Sequence, residues 1–231
     1  MPVYHEDFEE GPGGWFGYQD GPGQNQKMLE WSPGRLTSRS PWWIDYNHAP
    51  PGAGYFHMLF CLSTFGPQTE GTREVGGPNR FIDNKCPIDF TGARISARLN
   101  GELRSQGAQL CVLLQGVVDG ICSGWVQTTD TLEVHQQQTE QSTVLDPDPA
   151  GWTALGSRHN RTDMYGVKPL ESVLGHVSSS IMLLLFPVEV VPMGAIQGDM
   201  HQLRPGRDYP VWRHKLPEGY VTLHDMSIEL P

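Results

Sequence analysis

Charged residues are scarce in this sequence, and their scarcity excludes two classes of protein. Asp, Glu, Lys and Arg make up 18% of the 231 residues, with 16 Lys and Arg against 26 Asp and Glu. Long solvent-facing helices need these residues along their outer faces, so the composition excludes a helical bundle. The net charge of −10 argues against nucleic acid as a partner, because phosphate binding needs clustered Lys and Arg.

The common catalytic signatures are absent as well. The sequence contains no H-E-x-x-H, G-x-S-x-G, G-x-G-x-x-G or P-loop pattern. These patterns are typical of zinc proteases, α/β-hydrolases and nucleotide-binding enzymes, because each places a metal ligand, a nucleophile or a phosphate cradle at a fixed spacing. We therefore expect no organic cofactor.

Cysteines are few and widely spaced. None of the four forms a C-x-x-C pair, and they are Cys61, Cys86, Cys111 and Cys122. This spacing favours neither a zinc site nor a disulfide framework. We expect free, mostly buried thiols in a reducing cytoplasm.

No segment has the features of a membrane anchor or a secretory leader. The longest apolar run covers residues 181–186 and stops at Pro187, far short of the length that spans a bilayer. The first seven residues contain neither a basic region nor an apolar one. The sequence therefore predicts a cytoplasmic protein with no membrane partner, whereas a leader removed from a precursor would imply secretion.

Glycine and proline are abundant instead, with 27 and 19 copies. Turn-forming pairs such as Gly-Pro separate a series of short segments that alternate in polarity or are rich in β-branched and aromatic residues, as strands are. These segments cover residues 55–62, 93–99, 108–114, 125–127, 140–145, 180–186 and 220–230. One short helix is predicted between Pro169 and Val177, where apolar residues recur at helical spacing.

These patterns together predict an all-β fold. We expect a two-sheet antiparallel jelly-roll β-sandwich with long loops and at most one short helix, because no helical pattern separates the strands. No repeat or long linker divides the chain, and its length suits a single β-sandwich domain spanning residues 1–231.

Short motifs at both ends and in the middle carry a family resemblance. Residues 7–11 with Gly14 and Trp15 resemble the opening strand of jelly-roll carbohydrate-binding modules, and residues 224–230 resemble the closing strand. Residues 143–153 resemble the strand and turn that precede a Trp-Thr strand in such modules. At the level of the fold, the chain is similar to the jelly-roll carbohydrate-binding-module-like and concanavalin A-like β-sandwich superfamily.

The resemblance implies a structural Ca²⁺ held between the first and last strands. The matching positions are Glu9 and Asp225, with Asp7 as a further acid, and such oxygen ligands suit calcium. The alternative is that these acids are ordinary solvated side chains. The paired acids that concanavalin A-like hydrolases carry on one strand are missing, so hydrolysis ranks below elimination.

One segment has the composition of a sugar site. The residues are Trp42, Trp43, Asp45, Tyr46, Asn47 and His48, followed by a loop with two prolines and two glycines. Aromatic rings stack on the C–H faces of sugars, while acid, amide and imidazole groups bind the hydroxyls. The alternative is that the two tryptophans pack in the core and the rest forms a turn.

A second segment, residues 156–166, is rich in groups that can move protons. Arg158 and Arg161 could bind a carboxylate, His159 has the pKa of a general base, and Tyr165 could act as an acid. The alternative is a surface turn in which Asp163 pairs with an arginine.

We expect a carbohydrate-active β-sandwich protein that binds a saccharide or glycoside. If it is an enzyme, a carbon–oxygen lyase is favoured: Arg158 or Arg161 neutralises a substrate carboxylate or enolate, His159 or Tyr165 removes the adjacent proton, and the other protonates the leaving oxygen. The alternatives are a non-catalytic carbohydrate-binding module and a structural or subunit-interaction protein. The sequence leaves the oligomeric state open.

Overall fold

The computed structural model describes residues 3–19, 25–45, 56–66, 70–156, 167–186, 194–195, 207 and 216–231. The strands within these ranges are β1 (Tyr4–Glu6), β2 (Gly17–Gln19), β3 (Asn25–Lys27), β4 (Glu30–Ser32), β5 (Arg35–Arg39), β6 (Trp43–Asp45), β7 (Phe56–Ser63), β8 (Arg94–Arg104), β9 (Gln109–Val118), β10 (Ile121–Gln127), β11 (Thr139–Val144), β12 (Trp152–Leu155), β13 (Ser180–Phe186) and β14 (Glu218–Glu229). The helices are α1 (Glu70–Gly76), α2 (Arg80–Asp83) and α3 (Leu170–Leu174), with one 3-10 turn at Pro149–Gly151.

One antiparallel sheet, the front sheet, has the strand order β11-β8-β14-β5-β4, and β1 pairs with the distal part of β14. Polarity alternates along β8, where Ile95, Ala97 and Leu99 are buried and the residues between them are not. The register of β14 against β8 shifts between Leu223 and Asp225. This bulge adds one residue to β14. The outward-facing residues are therefore even-numbered up to His224 and odd-numbered from Asp225 onward.

The other antiparallel sheet, the back sheet, has the order β12-β10-β9-β13-β7-β6. Its central strands are almost continuously apolar, and every residue of β13 is buried. The chain passes from one sheet to the other between β5 and β6, β7 and β8, β8 and β9, β10 and β11, β11 and β12, and β13 and β14. The predicted two-sheet antiparallel architecture is therefore confirmed.

The main core lies between the two sheets. Ile95 and Leu99 of the front sheet and Leu114 and Leu183 of the back sheet are fully buried there. The outward side of the back sheet carries a second buried apolar cluster, which we call the back cluster; its residues are Phe16, Trp43, Phe56, Met58, Cys61, Cys111, Leu113, Val126, Leu155, Met182, Leu184 and Phe186.

The short helices differ from the sequence-based expectation. The predicted helix is present as α3, with Leu170, Val173 and Leu174 buried, but α1 and α2 were not predicted. Both are too short to show helical periodicity, and α1 also contains two glycines. The Asn79 side chain starts α2 by accepting the Ile82 backbone N–H at 3.0 Å, a capping contact that stabilises even a single turn. None of the helices in the described ranges is long and apolar enough to cross a membrane.

Candidate functional site

Most of the residues predicted for catalysis and sugar binding lie outside the described residues. They are Tyr46, Asn47, His48, Arg158, His159, Arg161, Asp163 and Tyr165. Asp45 ends β6, where its backbone pairs with Phe56. The elimination mechanism built on the second segment therefore stays a prediction.

Trp42 and Trp43 are buried, with exposed fractions of 3% and 9%. Trp42 belongs to the main core, where its Nε1–H donates to Ser38 Oγ at 2.9 Å, and Trp43 belongs to the back cluster. The two rings enter different clusters, as the alternation of neighbouring strand residues requires. In this structure they do not form one exposed stacking surface, and their packing agrees with the core alternative.

Two of the three acids named for calcium, Asp225 and Asp7, have partners in the structure, and Glu9 is exposed. Asp225 Oδ2 lies 2.8 Å from His5 Nε2 and 3.8 Å from an Arg98 nitrogen. Asp7 accepts the Glu9 backbone N–H at 3.1 Å. A carboxylate placed beside a guanidinium does not fit a divalent cation site. Among the described residues, no group of three or more His, Cys, Asp or Glu side chains is arranged to hold a metal.

An ion pair ties the first strand to α2. Glu6 is fully buried, and its Oε1 accepts the Phe8 backbone N–H at 3.1 Å and lies 3.3 Å from Arg80 Nη1. Arg80 also bonds Glu10 at 3.0 Å. Burial raises the pKa of the Glu6 carboxyl, against the opposing effect of Arg80. A guanidinium thus links the N-terminal strand to the sandwich, near the position where the sequence suggested a metal.

A groove of about 570 Å³ opens on the outward face of the front sheet. Strands β4, β5, β8 and β14 and the residue before β11 supply its walls and floor. The lining residues are Glu30, Trp31, Ser32, Arg35, Thr37, Arg39, Asn100, Gln138, Tyr220, Thr222 and His224. Apart from the two aromatic rings, every side chain in this set is polar.

Trp31 is the most exposed aromatic ring in the groove, at 41%. Its Nε1–H donates to the Phe8 backbone oxygen at 2.7 Å. That bond holds the indole against the segment after β1, so little side-chain entropy remains to be lost when a ligand contacts the ring.

Arg39 and Glu30 form a paired unit beside Tyr220. Arg39 Nε and Nη2 donate to the two carboxylate oxygens of Glu30 at 3.0 and 3.2 Å. Hydrogen bonding from Arg39 lowers the pKa of Glu30. Arg39 Cζ lies 4.9 Å from the Tyr220 ring centroid, so the guanidinium covers one face of that ring and its charge is balanced by Glu30.

Arg35 and His224 occupy the other part of the groove. Arg35 Nε donates to Ser32 Oγ at 2.6 Å, and His224 Nε2 lies 2.8 Å from Asn100 Oδ1. Burial lowers the pKa of His224 below 6.5, and the charges of Arg98 and Arg35 lower it further, against a hydrogen bond to the Gly34 backbone. The net effect disfavours the protonated imidazole.

Sequence reasoning missed this groove, although a signal for part of it was present. Polar residues recur at every second position in β5 (Arg35, Thr37, Arg39) and at the start of β14 (Tyr220, Thr222, His224). This period places each series on one face of its strand. Only the pairing of β14 with β5 brings the two series together, with Thr37 Oγ1 and Thr222 Oγ1 2.8 Å apart.

Comparison with protein-family models finds no matching family, and comparison with curated proteins finds no match.

Proposed function

We propose that the groove on the front sheet binds a saccharide chain. The observation that carries the proposal is an exposed, hydrogen-bonded indole, that of Trp31, beside a row of hydroxyl and amide groups. Saccharides combine apolar C–H faces, which stack on aromatic rings, with hydroxyls that need hydrogen-bond partners. The groove offers both kinds of contact.

The floor of the groove is rigid, which favours binding. Thr37 and Thr222 are linked across β5 and β14, and Asn100 is held by His224. Side chains already fixed by such contacts lose little conformational entropy when a ligand binds. Side chains on β-strands also keep a constant spacing, so they can form hydrogen bonds with sugar hydroxyls at fixed positions.

The shape of the surface favours a chain of sugars over a single ring. A second depression of about 360 Å³ shares Glu30, Thr37 and Arg39 with the groove and continues to Pro41. The two together extend the binding surface past the Arg39–Glu30 pair. An elongated ligand can occupy both.

The described groove supports binding more directly than elimination. Two of its candidate proton-transfer groups, Tyr220 and His224, are four residues apart on β14, about 13 Å between Cα atoms at ~3.3 Å per residue. The third, Glu30, is bonded through both carboxylate oxygens to Arg39. An acid and a base acting on one sugar must both come within about 3 Å of its reacting atoms. The spacing suits contacts with successive sugars, as in a non-catalytic module.

Calorimetric titration with a panel of tetrasaccharides, neutral and acidic, tests the proposal. We expect at least one to bind the wild type, and Trp31→Ala to raise its Kd about tenfold or more through loss of the stacking surface. Phe65→Ala is the matched control, because Phe65 is 64% exposed and lines a separate apolar pocket with Phe81 and Ile88.

Two results would contradict the proposal: no panel member binds, or Trp31→Ala binds as tightly as the wild type. Mass spectrometry of the same mixtures measures the catalytic alternative. An unsaturated product formed by the wild type would show elimination, and its dependence on His159 would support the mechanism predicted from the sequence.

A further inference from the structure

The arginines of the front sheet differ in whether an acid balances their charge. Arg39 pairs with Glu30 at 3.0 Å, and Arg104 pairs with Glu218 at 2.8 Å. Arg35 contacts Ser32 Oγ through Nε, and no carboxylate lies within ion-pair distance of it among the described residues. Within the described part of the chain, its two Nη groups therefore have no carboxylate partner.

The groups around Arg35 do not neutralise it. His224 is close enough for the Arg35 charge to lower its pKa, so a second positive charge is disfavoured there. Its partner Asn100 is a neutral amide. Counting Arg35 and Arg39 against Glu30, the groove lining carries a net charge of about +1 at pH 7.

This positive charge is local. The whole chain has a net charge of −10, so its long-range field repels anions. A preference for an anionic ligand would therefore arise from direct contact with Arg35, and general electrostatic attraction would not produce it.

We propose that Arg35 binds an oxyanion on the saccharide, the carboxylate of a uronic acid or a sulfate ester, and so selects acidic glycans. The guanidinium presents two parallel N–H donors that match such a group. The inference rests on the proposed function and names its substrate class. The Arg39–Glu30 pair, already neutral, would contact the neutral part of the glycan.

Matched glycans separate charge from sugar shape. The carboxylated probes are tetragalacturonate and a hyaluronan tetrasaccharide, each compared with its methyl ester. The sulfated probe is a κ-carrageenan tetrasaccharide, which has no carboxylate, compared with its desulfated form. We expect at least one charged probe to bind about tenfold or more tightly than its neutral counterpart. We also expect its Kd to rise with salt, while that of the neutral form stays nearly constant.

Variants assign the preference to Arg35. Arg35→Ala should abolish the preference for the charged probe, and Arg35→Lys should restore part of it, because lysine keeps the charge but lacks the two-pronged donor. Arg94→Ala is the control. Arg94 is an exposed arginine on β8 that bonds Ser142 and does not line the groove, so its removal should leave the preference unchanged.

The outcomes distinguish this inference from the proposed function. If the neutral probe binds as well as the charged one, acid selection is wrong. If Arg35→Ala keeps the preference, its assignment to Arg35 is wrong. In both cases saccharide binding through Trp31 stands. If no probe binds, both proposals fail. Tighter binding of only the carboxylated or only the sulfated probe identifies which oxyanion Arg35 recognises.

Discussion

The two sheets share one core but differ completely on their outward faces. On the front sheet, outward residues such as Tyr220, Thr222 and His224 are polar or aromatic and line an open groove. On the back sheet, outward residues such as Cys111 and Leu184 are apolar and buried. The same antiparallel architecture therefore supplies one open, polar surface and one surface for packing.

The difference follows from the pattern of residues along each strand. Strand β8 alternates between apolar and polar residues, as expected of a strand with one face in water, whereas β13 is apolar at every position after Ser180. An apolar outer face has to be covered. Among the described residues, Phe16 (just before β2) and Tyr18 (in β2) contribute to this cover. Their ring centroids are 5.4 Å apart, and the ring centroids of Tyr18 and Trp43 are 5.8 Å apart.

The largest expected effect concerns thiols of the back cluster. Burial raises the pKa of Cys61 and Cys111 from 9.0 to about 12. Because the thiolate is the reactive form, their alkylation at pH 8 should be about a thousandfold slower in the native protein than after unfolding. Iodoacetamide labelling with mass-spectrometric assignment measures this. The half-buried Cys86 and Cys122 are the internal reference, and equal native rates at all four cysteines would contradict the sealed packing of the back face.

A smaller effect is expected at His57 on β7. The side chain is 2% exposed, neither ring nitrogen has a hydrogen-bond partner among the described residues, and burial lowers its pKa from 6.5 to about 4. The folded state therefore binds this proton less readily than the unfolded state. Above pH 6.5 the neutral form of His57 is favoured in both states, and its full contribution to stability is present. As the pH falls from 6.5 to about 4, the unfolded state binds a proton that the folded state does not. The free energy of unfolding therefore decreases by about 3 kcal/mol in total.

Denaturant unfolding of the wild type and His57→Leu between pH 7 and 4 measures that loss. The difference between the two proteins isolates His57 from other titrating groups, including Glu6, whose raised pKa acts in the opposite direction. His176→Leu is the control, since His176 is exposed. Parallel pH curves for wild type and His57→Leu would show that His57 does not stay neutral and buried.

The smallest expected effect is on the front sheet. The Arg39–Glu30 pair is well aligned but solvent-exposed, with side-chain exposures of 52% and 60%. Exposed ion pairs contribute about 0.2–1 kcal/mol. A double-mutant cycle with Arg39→Ala and Glu30→Ala should give a coupling energy in that range and below the His57 effect. A coupling of several kcal/mol would mean that the front face contributes to stability as the back face does.

The strands that could be predicted are those with the strongest local pattern. Strand β13 was predicted at residues 180–186, where it lies, and the long strands β7, β8, β9 and β14 were predicted with shifted ends. Strands β1 to β6 and β12 were not among the predicted segments. They are three to five residues long, too short for a period of two to stand out, and β1 and β5 pair with β14 at the other end of the chain.

The candidate groove was less predictable than the fold. Composition drew attention to Trp42 and Trp43, which are buried in separate clusters, while Trp31 stands alone in a polar segment. Burial and exposure of a tryptophan depend on the whole fold, so local composition cannot separate a core ring from a binding ring.

The sequence by itself determined the class of the fold, because alternation, continuous apolar runs and turn residues are local properties read within about ten residues. The tertiary structure decided which polar residues meet. Thr37 and Thr222 are 185 positions apart, and only the pairing of β5 with β14 sets their residues side by side. The groove, the position of Arg35 in it without a carboxylate partner among the described residues, and the burial of the back cluster all follow from such long-range pairing. No local pattern encodes that pairing.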